Sequence, residues 1–168
     1  AQRYASPEMA ALWAPEHRIA AKRRLWLAVL DAQADLGIDV PNGVITDYAR
    51  VIDDINLNSI ARRERITRHD VKARIEEFNA LAGHEHIHKG LTSRDLTENV
   101  EQMLVRDSLL LVRDKVIAAL VRLSELAVQY ADTPMAGRSH NVAAQMTTLG
   151  KRFAIWADEL LMSYDRLT

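Results

Sequence analysis

The sequence contains no cysteine, which excludes disulfides, thiolate zinc sites and a cysteine nucleophile. It also lacks an excess of either charge. The 22 Lys and Arg nearly balance the 23 Asp and Glu, and the formal net charge of -1 gives no basic field for nucleic acid or a membrane surface. No run approaches the roughly 18 apolar residues of a membrane span. The start, AQRYASPEM, lacks the basic-then-apolar layout of a signal peptide. These absences fit a cytoplasmic protein, and the missing initiator Met suggests processing or trimming. What is present, 168 residues with 48% hydrophobic and 27% charged content, suits a soluble globular domain large enough to bury a core.

The four prolines and six glycines punctuate the chain. Ser6-Pro7-Glu8 is a helix start, with a capping hydroxyl, proline in the first helical position and an acid near the positive dipole end. A short helix through Trp13 follows. Pro15 opens a second helix running to about Leu36 and stopped by Gly37. Its apolar residues Ile19, Leu25, Trp26, Val29 and Leu30 recur at helical spacing, with Lys22 and Arg23 turned elsewhere. Val40-Pro41-Asn42-Gly43 is a turn. Further helices are expected at about 45–54, 57–66 and 69–82, the last ended by Gly83.

The chain is organised around 83–99, GHEHIHKGLTSRDLTEN. Thr92, with Asp95 three residues later, reads as a helix start, and nothing breaks a helix from there until Pro134. Residues 93–131 would form a rod of roughly 55–60 Å at 1.5 Å per residue. Its apolar residues fall into two stripes, Leu96-Val100-Met103-Leu110-Ile117-Val121 and Leu109-Val112-Val116-Leu120-Leu123-Tyr130. A helix with two apolar stripes needs several partner helices. MAGRSHNVAAQ crosses over, and a last amphipathic helix begins near Thr147. No strand is expected. The fold class is therefore all-α, with an N-terminal helical domain over 1–91 and the first helices of a bundle over 92–168. Partners for the apolar stripes would come from residues absent here, other copies of the chain, or both.

Several polar clusters carry both a functional and a structural reading. His84, His86 and His88 alternate as a metal site would require, but Glu85, the nearby carboxylate, would face the other way, so a loop whose histidines bind substrate or cap a neighbour is favoured. Thr92-Ser93 is explained by capping alone. Its functional reading is a carboxylate or phosphate site at the N-terminus of a long helix. Arg68-His69-Asp70 is a solvated first turn or a histidine tuned for acid–base work between a cation and an anion. His140, in Gly137-Arg138-Ser139-His140, is a structural or a catalytic histidine. Arg3-Tyr4 reads as terminal surface.

Taken together, Arg3-Tyr4 followed by SPEM and LW, then TRHDV, HKGLTSRDLTEN and GRSHNVAAQMTTLGKR, resemble the adenylosuccinate lyase family of the fumarase/aspartase superfamily. The segments occur in the family's order from Arg3 to beyond Arg152. Ser139 stands where many members have Thr, and a hydroxyl is kept. The resemblance implies a C–N lyase of purine biosynthesis that releases fumarate from adenylosuccinate, giving AMP, and from the succinyl-carboxamide ribotide (SAICAR to AICAR). It implies His140 as general acid, with His69 assisting proton transfer and phosphate binding. Thr92 and Ser93 would hold the succinyl carboxylates. Arg3, Tyr4, Arg68, His69 and Asp70 would bind the nucleotide, with His88 near the substrate. Nothing is implied for His84 and His86. Neither a metal nor a cofactor is implied.

The family's catalytic base, a serine on a Ser-Ser-x-Met-Pro-x-Lys-x-Asn loop, is absent from the sequence. So is most of the bundle through which members form homotetramers, whose active sites combine three subunits. The chain would thus be an N-terminal portion, inactive alone and self-associating through the rod. The competing expectations are another lyase of the superfamily, a non-catalytic helical oligomerisation module and a histidine-ligated metalloprotein.

Overall fold

The computed structural model describes residues 3–167. By compactness the chain divides into two units, Ala1–Arg106 and Asp107–Thr168. The first contains α1 (Pro7–Leu12), α2 (Pro15–Asp35), α3 (Val44–Arg50), α4 (Leu57–Thr67), α5 (Asp70–Ala82) and the opening turns of α6 (Ser93–Gln129). The second contains the rest of α6, strands β1 (Pro134–Ser139) and β2 (Val142–Thr148), and α7 (Leu149–Tyr164). The architecture is helical with one small two-stranded sheet, so the all-α expectation holds. Among the described residues no helix is long and apolar enough to cross a membrane.

Local chemistry accounts for the helix boundaries. The Ser6 hydroxyl accepts from the Met9 N–H at 3.4 Å, and Asn56 caps α4 by accepting from Ser59 N–H at 2.9 Å. Such bonds satisfy first-turn donors that have no partner within the helix. Gly83 ends α5 at φ +75°, a conformation glycine adopts without steric cost. The third helix is shorter than expected, closing at Arg50 and giving way to turns.

The main core of the first unit joins Trp26 and Leu30 of α2, Val44 and Tyr48 of α3, Val71 and Phe78 of α5, Ile87 and Leu96. Burying each such side chain contributes about 1.5–3 kcal/mol. Lys22 and Arg23, expected to face away from this core, are instead buried. Arg23 is tolerated there because its fork finds acceptors. Its Nη1 donates to the carbonyls of Val51 and Ile52 at 2.7 and 2.9 Å, just beyond the C-terminus of α3. Its Nη2 pairs with Glu77 of α5, and its guanidinium lies 4.6 Å from the Phe78 ring centre. Glu77 Oε1 in turn accepts from the Asn56 N–H at 3.2 Å. One ion pair therefore ties together α2, the end of α3, the start of α4 and α5.

In the second unit a strand pair replaces the expected crossover. β1 and β2 run antiparallel with Pro134 opposite Thr148 and Ser139 opposite Val142, and the register slips between Ala136 and Arg138. Most of the ribbon is exposed, so it carries no alternation of apolar and polar residues of the kind that marks a half-buried strand. The Thr148 hydroxyl caps α7 by accepting from Lys151 N–H at 3.2 Å. Gly150 then meets α6 so closely that an added Cβ would lie 2.4 Å from the Ala127 carbonyl oxygen. Of the two stripes on α6, Leu96 and Val100 are buried, while Leu110, Ile117 and Val121 are more than 40% exposed.

Candidate active site

The two motif segments of the first unit, TRHDV and HKGLTS, meet at the starts of two helices. His69 is the N-cap of α5, its Nδ1 accepting from the Lys72 N–H at 3.2 Å. A backbone N–H can only donate, so Nδ1 is unprotonated and the neutral ring carries its proton on Nε2. That Nε2 lies 3.4 Å from the Ser93 hydroxyl in the first turn of α6. The neighbouring Thr92 forms a reciprocal cap with Asp95. Thr92 N–H donates to Asp95 Oδ2 at 2.7 Å, and Asp95 N–H donates to the Thr92 hydroxyl at 3.5 Å. A histidine, two hydroxyls and the positive end of a 37-residue helix thus gather at one place.

Asp70 does not partner His69 as a tuning anion. Its Oδ2 accepts from Arg74 Nη1 at 2.6 Å, while its Oδ1 lies 3.9 Å from His69 Nδ1, which is already occupied. Burial pushes the Asp70 carboxyl up, but the Arg74 guanidinium and the Val71 N–H outweigh it and hold the group below the usual carboxylate range. Arg68 follows α4 at φ +51°, its N–H donating to the Glu64 carbonyl at 2.8 Å, while its exposed side chain makes no hydrogen bond or ion pair among the described residues.

The three alternating histidines turn to three different partners. His84 Nε2 lies 2.9 Å from Asp47 Oδ2, and this hydrogen bond is the main cause holding the Asp47 carboxyl low. Lys89 Nζ lies 3.2 Å from His86 Nδ1. His88 Nδ1 accepts from the indole N–H of Trp26 at 3.0 Å, with the two rings edge to face. Burial lowers the His88 pKa, opposed by Asp95. Tyr48 fixes the base of this loop, its hydroxyl 2.6 Å from Asn79 Oδ1 and 2.8 Å from the His84 carbonyl while accepting from His86 N–H at 3.1 Å. Among the described residues no group of three or more His, Asp or Glu side chains is arranged to hold a metal ion.

His140 lies in the second unit, at the tip of the hairpin. His140 and Asn141 form a two-residue loop with φ of +49° and +63°, as a type I′ turn requires, and the Arg138 guanidinium donates to the Asn141 carbonyl at 2.9 Å. The imidazole is exposed. Arg3 and Tyr4 sit in a turn with the guanidinium 5.4 Å over the Tyr4 ring, and Tyr4 is 86% exposed. No hydrogen bond links that pair to the other candidates among the described residues.

Backbone conformation singles out some of the same residues. Among those described, the non-glycine residues at positive φ are Arg68, His88, His140 and Asn141. Left-handed backbone costs a residue with a Cβ about 1–2 kcal/mol, and such outliers concentrate at functional sites. Trp26 is the contributor that sequence reasoning missed, because its helical spacing marked it only as core. The available signal was its indole N–H, which needs an acceptor when buried.

A family model described as lyase matches residues 9–168. Among curated relatives, the adenylosuccinate lyase of Saccharomyces cerevisiae is 37% identical over 95% of this chain and 34% of its own length. That of Methanothermobacter thermautotrophicus is 35% identical over 98% of this chain and 38% of its own. The chain therefore spans little more than a third of these relatives. Among solved structures, a fumarate lyase from Mesorhizobium sp. BNC1 superposes with a TM-score of 0.85 at 26% identity, covering 97% of this chain and 39% of that one. A β-carboxy-cis,cis-muconate cycloisomerase from Acinetobacter calcoaceticus sp. ADP1 matches in fold, with a TM-score of 0.84 at 22% identity, covering 96% of this chain and 40% of that one.

Proposed function

The chain belongs to the lyase family, and we propose that within it the chain is the N-terminal portion of an adenylosuccinate lyase, a homo-oligomeric, cytoplasmic enzyme of purine biosynthesis. The observation that carries this reading is the meeting of His69 with Ser93 at the start of α6, 3.4 Å apart. Two segments of the family pattern, separated by 24 residues, converge there on a helix end suited to an anion.

The proposed reaction is a β-elimination. A base removes the proton beside a carboxylate of the succinyl group, the carbanion expels the nitrogen, fumarate leaves, and an acid returns a proton to that nitrogen. Thr92 and Ser93 hold the succinyl carboxylates with hydroxyls and helix dipole, His69 presents its Nε2 proton beside them, and His88 contributes a second neutral imidazole. Arg68, Asp70, Arg3 and Tyr4 serve the nucleotide, where a guanidinium pairs with phosphate. His140 is the general acid, and the hairpin turn presents it on exposed backbone. The base is a serine supplied from outside these 168 residues, so the chain alone has no turnover. The apolar faces of α6 suit bundle partners from the rest of the protein or from other copies.

Fumarate release from adenylosuccinate tests the reading, comparing this chain with the full-length product of its gene. Turnover in the longer protein only, competition by AMP, and loss on His140→Ala without loss of stability are expected. A fully active 168-residue chain overturns the missing base. A folded but inactive full-length protein favours a different fumarate-releasing substrate, as the relationship to the Mesorhizobium enzyme allows.

A further inference from the structure

Within the first unit, a cavity of about 80 Å³ is lined by Pro15, Arg18, Ile19, Lys22 and Arg74. Three of these five side chains are cations, and they are poorly neutralised. Arg18 reaches Glu101 only at 3.9 Å. Arg74 gives Nη1 to Asp70, but its Nε is buried with no hydrogen-bond partner. Lys22 is 6% exposed and makes no hydrogen bond or ion pair among the described residues. An ammonium offers three donors and no acceptor, and buried charges in folded proteins are paired or meet a ligand. Pro15 and Ile19 supply no acceptor side chain. The space equals two or three waters at roughly 30 Å³ each, enough for one small oxyanion and too little for a ribose or a base.

We propose that this cavity is an anion site that takes one tetrahedral oxyanion of the phosphate class, with Lys22 and the free Arg74 Nε as its donors and Arg18 as a third positive charge. The group bound is either a free anion or the phosphate of a larger ligand, since only the oxyanion itself fits. The assignment stands on the cavity and its unpaired donors and does not depend on the lyase reading. Binding is coupled to protonation. The charged groups facing Lys22 are Arg18 on its own helix, Arg74 and Asp70 on α5, and Glu101 on α6. Burial first, then Arg74 and Arg18, bring the Lys22 pKa down to about 8, against the pull of Asp70 and Glu101. An incoming anion favours the ammonium, so it takes up a proton where Lys22 is neutral.

The test is calorimetric titration of the 168-residue chain with sodium phosphate, sodium sulfate and AMP, for the wild type and Lys22→Met. Stoichiometric phosphate and sulfate binding that Lys22→Met weakens at least tenfold supports the site. AMP binding lost in the same variant identifies the oxyanion as the nucleotide's phosphate, and AMP binding unchanged identifies a free anion. Sulfate keeps its charge above neutrality, so its affinity for the wild type should fall above pH 8, approaching tenfold per pH unit. That arm decides the matter if the variant does not fold. Equal phosphate affinity in a folded Lys22→Met, a sulfate affinity flat from pH 7 to 9.5, or no binding of any of the three overturns the proposal.

Discussion

The indole N–H of Trp26 donates to Nδ1 of His88 at 3.0 Å, and because an indole nitrogen can only donate, that ring nitrogen holds no proton. His88 is therefore the Nε2–H tautomer whenever it is neutral. Burial lowers its pKa, which extends the neutral form toward lower pH. A core tryptophan on α2 thus sets which hydrogen-bonding face His88 offers. Nitrogen-15 spectra at pH 7.5 should show His88 Nδ1 unprotonated and Nε2 protonated. Trp26→Phe should release a mixture of tautomers and cost about 1–3 kcal/mol for the unsatisfied acceptor. A wild-type spectrum with the proton on Nδ1 would refute the assignment.

Glu77 is 2% exposed and pairs with Arg23, which is 1% exposed. Removing one member of a buried pair strands the other charge, at a cost of about 3–5 kcal/mol. Glu77→Ala should fall in that range in urea unfolding. Glu77→Gln keeps an acceptor and the shape, so it should cost less. Equal losses would mean that the stabilisation comes from the carboxylate charge, with shape and the retained acceptor recovering nothing.

The helices were legible because their signals are local. Ser6, Pro15, Gly37, Gly83 and the Thr92–Asp95 pair each punctuate the backbone by a mechanism that acts within a few residues. The hairpin was not legible. Its strands lie mostly exposed, so selection for a buried face left no period-two pattern, and its turn uses His-Asn at positive φ rather than the commoner Asn-Gly. Arg23 was misplaced for a different reason. Whether a guanidinium can be buried depends on acceptors 28 to 54 residues away, the Val51 and Ile52 carbonyls and Glu77, and no periodicity encodes those. In the site, the segments were legible but their partners were not. Asp70 adjoins His69 in sequence, yet its strongest contact is Arg74, one helical turn on.

Arg68 stands at φ +51° after α4, a position where glycine is usual. Arg68→Gly should relieve the left-handed backbone and stabilise the folded chain by up to about 1 kcal/mol. The same change removes a guanidinium assigned here to the nucleotide. In the full-length protein AMP competition should therefore weaken while the midpoint of thermal unfolding rises. Stability and affinity falling together would mean that Arg68 is structural.

Gly150 is a case of close approach. A Cβ there would lie 2.4 Å from the Ala127 carbonyl oxygen and 2.7 Å from the Ala131 Cα, both backbone atoms that cannot swing aside. Gly150→Ala must push α7 from α6 and should break the Gly150 N–H bond to the Tyr130 carbonyl, now 2.8 Å. A loss of about 1–3 kcal/mol is expected, with faster amide exchange at residues 149–153. Unchanged exchange there would show that the helices accommodate the methyl.

Lys22 makes stability depend on pH in a direction opposite to that of a paired lysine. Its pKa falls from 10.5, the value expected in the unfolded chain, to about 8 in the folded one. Between these values the unfolded state holds more protons, so stability rises with pH. Below pH 8 the penalty is fully present, and above about 10.5 it is gone. The difference of roughly 2.5 pH units corresponds to at most about 3–4 kcal/mol at 1.36 kcal/mol per unit. Lys22→Met removes the titrating group while filling the same space with an unbranched apolar chain. The variant should be the more stable protein at pH 7, and its advantage should shrink steadily from pH 8 to 10.5. Unfolding free energies of both proteins across that range, in a buffer free of phosphate and sulfate, measure the difference directly. An advantage that does not change with pH would mean that folded and unfolded chains bind the Lys22 proton equally, so that the folded pKa stays at its unfolded value.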